Sequence, residues 1–265
     1  MTVLITGAGS GMGAATLERL RRAGQTVVGV DLANADVIAD LGTHAGRQTV
    51  VDAVAGRELH GVCTFAGVSG FGSRPGSLVV SINYFGSIQL LESLRPQLAA
   101  SAGAAVAVSS NSATTAPGID DRLVQACLTG DEQGARELAD EIGGPGSYAA
   151  SKLAVARWVR RSAPSPEWAG NQISLNAISP GHVETALTEE MMREEIGREI
   201  IARSPLPIGR PGQAREIAAL TEFLLGENGR FIVGSVIYID GGVDALRRAD
   251  EWPTARPPRP TTNPN

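Results

Sequence analysis

Thr2-Val3-Leu4-Ile5-Thr6-Gly7-Ala8-Gly9-Ser10-Gly11-Met12-Gly13 carries a short apolar run straight into a glycine turn. The run from Thr2 to Ile5 reads as a buried strand, and Ala14 to Ala23 beyond the glycines has a helical pattern. Strand, glycine turn and helix in that order form the start of a dinucleotide-binding unit. The glycines let the chain turn tightly and let the backbone approach a pyrophosphate. Its charge would meet free amides and the positive end of the helix dipole. A glycine-rich turn alone is equally a flexible loop, so the reading depends on the residues beyond the first helix.

The next apolar run, Thr26 to Val30, ends in Asp31, about 20 residues beyond the glycines, where a carboxylate accepts from an adenosine ribose. A strand-end acid is also ordinary turn chemistry. An acid there repels a 2′-phosphate, and neither Leu32 nor Ala33 supplies an arginine, so the sequence favours NAD over NADP. Asp36 to Leu41 reads as a short third strand, Thr43 as the cap of a helix to about Val54, and Gly61 to Phe65 as a fourth strand broken at Ala66-Gly67. Residues 81–98 are helical in pattern. Ala104 to Val108, Ile173 to Ile178 and Val236 to Ile239 complete the strands, and Gln213 to Leu225 is a late amphipathic helix. Strands alternating with helices predict an α/β fold, a Rossmann-type doubly wound parallel sheet in one domain over residues 1–248. Asp31, Asp40 and Gly67 should then line one crevice at the carboxyl ends of the strands.

Chemistry enters with Tyr148-Ala149-Ala150-Ser151-Lys152, whose spacing sets a phenol beside an ammonium on one helix face. An adjacent positive charge lowers a tyrosine pKa, which makes Tyr148 a candidate acid and base for an alcohol or carbonyl. The same spacing describes an ordinary helix face. Ser110, at the end of the Ala104–Val108 strand, is placed to donate to a substrate oxygen or simply to turn the chain. Asn83, at the start of its helix, reads as a cap.

The 265 residues, 43% hydrophobic and 19% charged with a net charge of -5, describe a soluble globule with no basic surface for nucleic acid. No window has the length of a membrane span, and the opening residues lack the basic region of a signal peptide. Cys63 and Cys127 suggest neither zinc nor a disulfide framework, and His44, His60 and His182 are scattered, so no metal is expected. A reducing cytoplasm fits. Residues 117–146 alternate acids with apolar residues as two short amphipathic helices broken at Thr129-Gly130-Asp131, readable as a lid, an interface or a solvated excursion. Residues 186–207 read as a substrate flap or an ordinary surface helix. The proline-rich residues 249–265 read as a disordered tail.

In chain order, Thr6-Gly7-x-x-x-Gly11-x-Gly13, Asp31, Asn83, Ser110, Tyr148-x-x-x-Lys152, Asn176 and Pro180-Gly181-x-x-x-Thr185 resemble the short-chain dehydrogenase/reductase family over residues 2–245. The resemblance implies that Tyr148 exchanges a proton with the substrate oxygen and that Ser110 holds that oxygen. It also implies that Lys152 binds the nicotinamide ribose and depresses the Tyr148 pKa, while Asn83 anchors a water. It assigns Gly7, Gly9, Ser10, Gly11, Met12, Gly13, Asp31, Leu32, Asp40, Leu41, Ala66, Gly67, Val183 and Thr185 to the cofactor, with Tyr148 and Lys152. Thr64-Phe65-Ala66-Gly67 departs from the usual Asn-Asn-Ala-Gly and loses amides that brace the central sheet. The stretch between Ser110 and Tyr148 is also longer than in most relatives, a helical insertion over 117–146. That insertion resembles the 3α-hydroxysteroid dehydrogenase/carbonyl reductase branch, as do Val37-Ile38-Ala39-Asp40-Leu41, Asn83-Tyr84-Phe85-Gly86 and Ile239-Asp240-Gly241-Gly242-Val243-Asp244-Ala245.

The likeness implies an NAD(H)-dependent enzyme interconverting a secondary alcohol and a ketone, on a 3α-hydroxysteroid or similar apolar substrate, working as a homodimer. A broad carbonyl reductase or a dehydrogenase of another apolar alcohol is the alternative. A non-catalytic dinucleotide-binding regulator is the reading from a different class.

Overall fold

The computed structural model describes residues 1–255. Seven strands, β1 (Thr2–Thr6), β2 (Thr26–Asp31), β3 (Val37–Ile38), β4 (Gly61–Thr64), β5 (Ala104–Val108), β6 (Ser174–Pro180) and β7 (Val236–Ile239), form one sheet. Their order is β3-β2-β1-β4-β5-β6-β7. Every neighbouring pair is parallel. β4, β5 and β6 are buried along their whole length, as strands covered on both faces must be.

Alternate residues feed two cores. Leu4, Val28, Val62 and Ala105 point to one face, and Val3, Ile5, Val27, Cys63 and Val106 to the other. The first face is covered by α2 (His44–Ala53), α4 (Ser87–Ala100) and α8 (Gly144–Ser162), through residues such as Val50, Leu91 and Val155. The second is covered by α1 (Gly11–Arg22) and α11 (Ala214–Leu225), through Leu20, Ile217 and Leu224. Each such fully buried side chain contributes about 2 kcal/mol by leaving water. The remaining helices are α3 (Gly76–Val80), α5 (Ser112–Thr115), α6 (Asp121–Thr129), α7 (Glu132–Ile142), α9 (Ala186–Met191), α10 (Glu195–Arg203) and α12 (Val243–Arg247). The strand order reverses between β1 and β4, and in such sheets the ligand crevice opens there, at the strand carboxyl ends.

Two elements differ from the sequence expectation, and a third, 117–146, forms the two helices expected and narrows its alternatives. β3 keeps only two residues because its flanking acids turn the chain instead. Asp36 accepts from the Gly29 amide (2.7 Å) and from Arg21 (2.7 Å), and Asp40 accepts from the Gly42 amide (2.9 Å). The helix expected over 81–98 starts at Gly76, and Ser81–Gly86 within it is a π turn. Asn83 therefore caps nothing: it lies inside this wide turn. The 117–146 segment is not a solvated excursion. Its two helices break at Gly130, which has φ 79°, and they bury Leu123, Val124, Cys127, Ala135 and Ala139. A Cβ on Gly76 would meet the Ala139 carbonyl oxygen at 1.9 Å and one on Gly70 the Gly144 carbonyl oxygen at 2.2 Å, so the segment lies backbone against backbone on its neighbours. Arg47 pairs with Glu132 at 2.9 Å, and Asp140 accepts from the Ser77 amide at 2.8 Å.

Of the 249–265 tail, residues 249–255 continue as turn and bend, and 256–265 lie outside the described residues. No helix among the described residues is long and apolar enough to cross a membrane.

Candidate active site

The glycine turn closes on the loop after β4. Gly7 has φ +68°, and a Cβ there would sit 2.7 Å from the Ala66 nitrogen. Gly13, in the first turn of α1, lies so close beneath that its Cβ would meet the Gly7 carbonyl at 2.1 Å. Gly11 has φ +54°, and a Cβ there would rest in ordinary contact with the Thr185 methyl at 3.4 Å. No side chain caps α1, and the first amides of a helix have no partner within it. These donors border a cleft of about 190 Å³. Its walls include Gly7, Ser10, Gly11, Met12 and Gly13 on one side, Asp31, Leu32, Asp40 and Leu41 at one end, and Ala66, Gly67 and Thr185 opposite.

Gly9 is the exception among the expected glycines. Its amide donates to Asp31 Oδ2 at 2.8 Å, so it orients the acid rather than lining the cleft. The Leu32 amide donates to Asp31 Oδ1 at 2.7 Å. Each oxygen keeps a lone pair for a ribose hydroxyl. Glycines that let the turn fold closely on the backbone of Ala66 and of α1, free helix amides and a fixed carboxylate all fit a dinucleotide.

Beyond Gly67 the cleft runs into a smaller cavity of about 80 Å³ where Ser110, Tyr148, Lys152 and Val183 meet. The end of β5 sets this geometry. Ser109 Oγ donates to the Lys152 carbonyl at 2.8 Å, tying α8 to the strand end. Lys152 Nζ donates to the Val108 carbonyl at 2.9 Å and lies 5.8 Å from the centre of the Tyr148 ring. Ser110 Oγ accepts from the Ser112 amide (3.2 Å) and hydroxyl (3.0 Å), which leaves its own proton free for another oxygen. Asn83 stands behind. Its Oδ1 accepts from the Val68 amide (2.8 Å) and its Nδ2 donates to the Val68 carbonyl (3.0 Å), holding the loop that carries Gly67. A Cβ on Gly67 would be 3.1 Å from Asn83 Oδ1 and 3.6 Å from Lys152 Nζ, so glycine lets the three groups crowd together.

Burial governs the charges. Lys152 is 4% exposed, and loss of water pushes its pKa down from 10.5 to about 8. Tyr148 is partly open to the cavity as a residue, yet desolvation of its hydroxyl raises its pKa, and the Ser110 hydroxyl pulls it only partway back. The net direction is opposite to that expected from the Tyr-x-x-x-Lys spacing. An ammonium that is itself desolvated and engaged by a carbonyl does not outweigh the burial of the phenol.

On the far side of Tyr148 and Ser110 lies a cavity of about 390 Å³, walled by Leu187, Met191, Ile200, Ile201, Leu206 and Val243. α9 forms its roof and is fastened across the mouth of the cleft. Glu190 accepts from Ser69 Oγ (2.8 Å) and Arg74 (2.6 Å), and Glu194 accepts from the Gly72 amide. Sequence reasoning missed Ser69, Arg74 and Glu190, and missed Ser112 beside Ser110. No local spacing marks a pair such as Arg74 and Glu190, which are 116 residues apart. Among the described residues no group of three or more His, Cys, Asp or Glu is placed to hold a metal ion.

Residues 135–244 match the family model described as enoyl-(acyl carrier protein) reductase. The chain is 35% identical over 256 residues to 3-alpha-hydroxysteroid dehydrogenase/carbonyl reductase from Comamonas testosteroni, covering 94% of this chain and 99% of that one. It is 30% identical over 250 residues to coniferyl-alcohol dehydrogenase from a Pseudomonas species, covering 91% and 95%. Its fold superposes with a TM-score of 0.90, at 43% identity and over 94% and 99% of the two chains, on the 3-alpha-hydroxysteroid dehydrogenase of Pseudomonas sp. B-0831, solved in complex with NADH.

Proposed function

The chain belongs to the short-chain dehydrogenase/reductase family, and on that premise we propose that it is an NAD(H)-dependent oxidoreductase interconverting a secondary alcohol and a ketone, with a 3α-hydroxysteroid or similarly apolar molecule as substrate. One observation carries the reading. Ser110, Tyr148 and Lys152 share a small cavity between a cleft suited to a dinucleotide and a larger apolar cavity.

The cofactor residues of the resemblance, Gly9 apart, are those that would hold the dinucleotide, with Asp31 on the adenosine ribose and against a 2′-phosphate. A bound nicotinamide supplies the hydride donor or acceptor. The chain's own groups handle the oxygen and its proton. In reduction, Tyr148, held protonated by burial, gives its proton to the carbonyl oxygen while Ser110 donates a hydrogen bond to it. In oxidation the phenolate takes the hydroxyl proton back. The Lys152 ammonium stabilises that phenolate and, with a pKa near 8, can exchange a proton at working pH. Asn83 serves as a positioning residue by fixing the Val68 backbone beside Gly67. Leu187 and Met191 keep water away from the reacting oxygen.

Residues 1–248 act as one catalytic domain, 186–207 as the flap over the substrate, and 117–146 as a segment that covers α8. With α6 and α7 on that face, the expected assembly is a homodimer through another surface, in a reducing cytoplasm where Cys63 and Cys127, both buried, stay as thiols. Light scattering that gave a tetramer would discard this assembly.

The activity is tested by NADH absorbance when the protein is given NAD and a panel of 3α-hydroxysteroids, other apolar secondary alcohols and a blank. Turnover on steroids supports both chemistry and substrate class. Turnover only on other alcohols keeps the mechanism and removes the steroid. NADH binding with no turnover anywhere in the panel would favour a binding-only regulator.

A further inference from the structure

The apolar cavity beyond Tyr148 is closed at its inner end by Ser110 and the phenol, but its outer end is basic. Arg203 and Arg247 both line it, and no Asp or Glu does. This is unusual in a chain with a net charge of -5. The two arginines differ in what they are free to do. Arg203 leans on Glu199 (3.6 Å) and its side chain is 82% exposed. Arg247 makes no ion pair and no side-chain hydrogen bond with the described residues, whereas its neighbour Arg248 is fully engaged with Asp244 at 2.8 and 2.9 Å.

The support under Arg247 is rigid. α12 enters the cavity wall through Val243, which is 5% exposed. Its Asp244 is held three ways: it pairs with Arg248, accepts from Thr114 Oγ1 at 2.6 Å, and gives its amide to Asp240 at 2.7 Å. Asp240 also receives the Gly242 amide at 3.0 Å. The local acids are thus engaged in anchoring the short helix, and Arg247 at its end borders the cavity with no ion pair among the described residues. A cavity with an apolar body, one reactive oxygen site and one unpaired cation at the rim is matched by an amphipathic anion.

We infer that Arg247 is a specificity-determining residue that binds a carboxylate on the end of the substrate remote from the reacting oxygen. The inference rests on the dehydrogenase reading for the identity of the reacting end, and it makes the preferred substrate an apolar alcohol or ketone that also carries a negative charge. Arg203, at the same rim, adds to the field without holding the group.

The test compares a 3-keto steroid bearing a side-chain carboxylate with its methyl ester. Calorimetric binding to the NADH complex and kcat/KM for NADH oxidation are measured for wild type, Arg247→Gln and Arg57→Gln. The last removes the same charge from an exposed site outside the cavity. Wild type should favour the carboxylate over the ester by roughly fivefold, the upper end for a solvent-facing ion pair. That ratio should fall toward one in Arg247→Gln, persist in Arg57→Gln, and narrow as salt is raised. Equal binding of acid and ester by wild type, binding of neither, or a preference that survives Arg247→Gln would overturn the assignment. If the ligands bind with the expected ratios but neither is turned over, the role of Arg247 stands and the dehydrogenase reading fails.

Discussion

Lys152 is a charged group held where a charge is least welcome, and replacing it with Met should make the protein more stable while ending its activity. The pKa of Lys152 falls from 10.5 to about 8 through burial, and at about 1.4 kcal/mol per pH unit this makes the ammonium destabilising by roughly 3 kcal/mol below pH 8. Met fills similar space without the charge. It also leaves the Val108 carbonyl without the 2.9 Å bond from Nζ, a loss of about 1 kcal/mol. The net expectation is a gain of roughly 2 kcal/mol at pH 6.5. Proton counting gives the sign with pH. Between pH 8 and 10.5 the unfolded chain holds the lysine proton and the folded chain does not, so wild-type stability rises with pH across that window. The advantage of Lys152→Met should therefore shrink by roughly 2 kcal/mol between pH 6.5 and pH 9.5. Urea unfolding of both proteins, without cofactor, at pH 6.5, 8 and 9.5 reads this directly. A variant no more stable than wild type at pH 6.5, or an advantage that stays constant with pH, would refute the claim that burial of this ammonium opposes folding. A confirmed gain alongside lost turnover would identify Lys152 as a group kept for chemistry at the expense of stability.

Tyr148→Phe should lower kcat by about 10²- to 10⁴-fold, the usual worth of a positioned acid, with NADH binding retained; turnover near the wild-type rate removes Tyr148 from the mechanism. Asp31→Ala combined with Leu32→Arg should shift kcat/KM from NAD toward NADP, and unchanged cofactor selectivity would discard the reading of Asp31 as the group that rejects a 2′-phosphate. Glu190→Gln weakens the tie from α9 to Arg74, whose partners are 28% and 26% exposed, so the substrate KM should rise by roughly fivefold; an unmoved KM and kcat would mean that α9 is not a working flap. Gly76→Ala pushes a Cβ against the Ala139 carbonyl at 1.9 Å and should destabilise by about 1–3 kcal/mol in urea, whereas an unchanged midpoint would show that α7 does not sit on α3.

Local patterns are legible in the sequence, and the rest depends on which group wins a competition decided elsewhere in the fold. The β1 strand, the glycine turn and the acid at the end of β2 are legible because steric and electrostatic demands act over a few residues. Ser110, Tyr148 and Lys152 are joined in the sequence only by the family resemblance, because Ser110 follows the end of β5 whereas Tyr148 and Lys152 lie within α8, and no local spacing links the two elements. The length of β3 cannot be read from its apolar residues, since Asp36 takes the Gly29 amide that a longer ladder would have used and Asp40 turns the chain by accepting from the Gly42 amide. The π turn over Ser81–Gly86 has no signature in a 3.6-residue period, yet it sits where Asn83 reaches Val68. Gly9 looks like its neighbours in the motif and instead commits its amide to Asp31, which makes the glycine turn and the acid at the end of β2 one unit. The pKa of Tyr148 departs from the sequence expectation for the same kind of reason. The spacing to Lys152 reports a neighbour but says nothing of the loss of water, and a pocket dry enough to make that neighbour matter desolvates both groups together. Burial therefore leaves the ligand-free protein with a protonated phenol and a weakened ammonium. A site in that state is poised to give a proton to a carbonyl, and taking one from an alcohol requires the phenolate to be stabilised by what binds beside it.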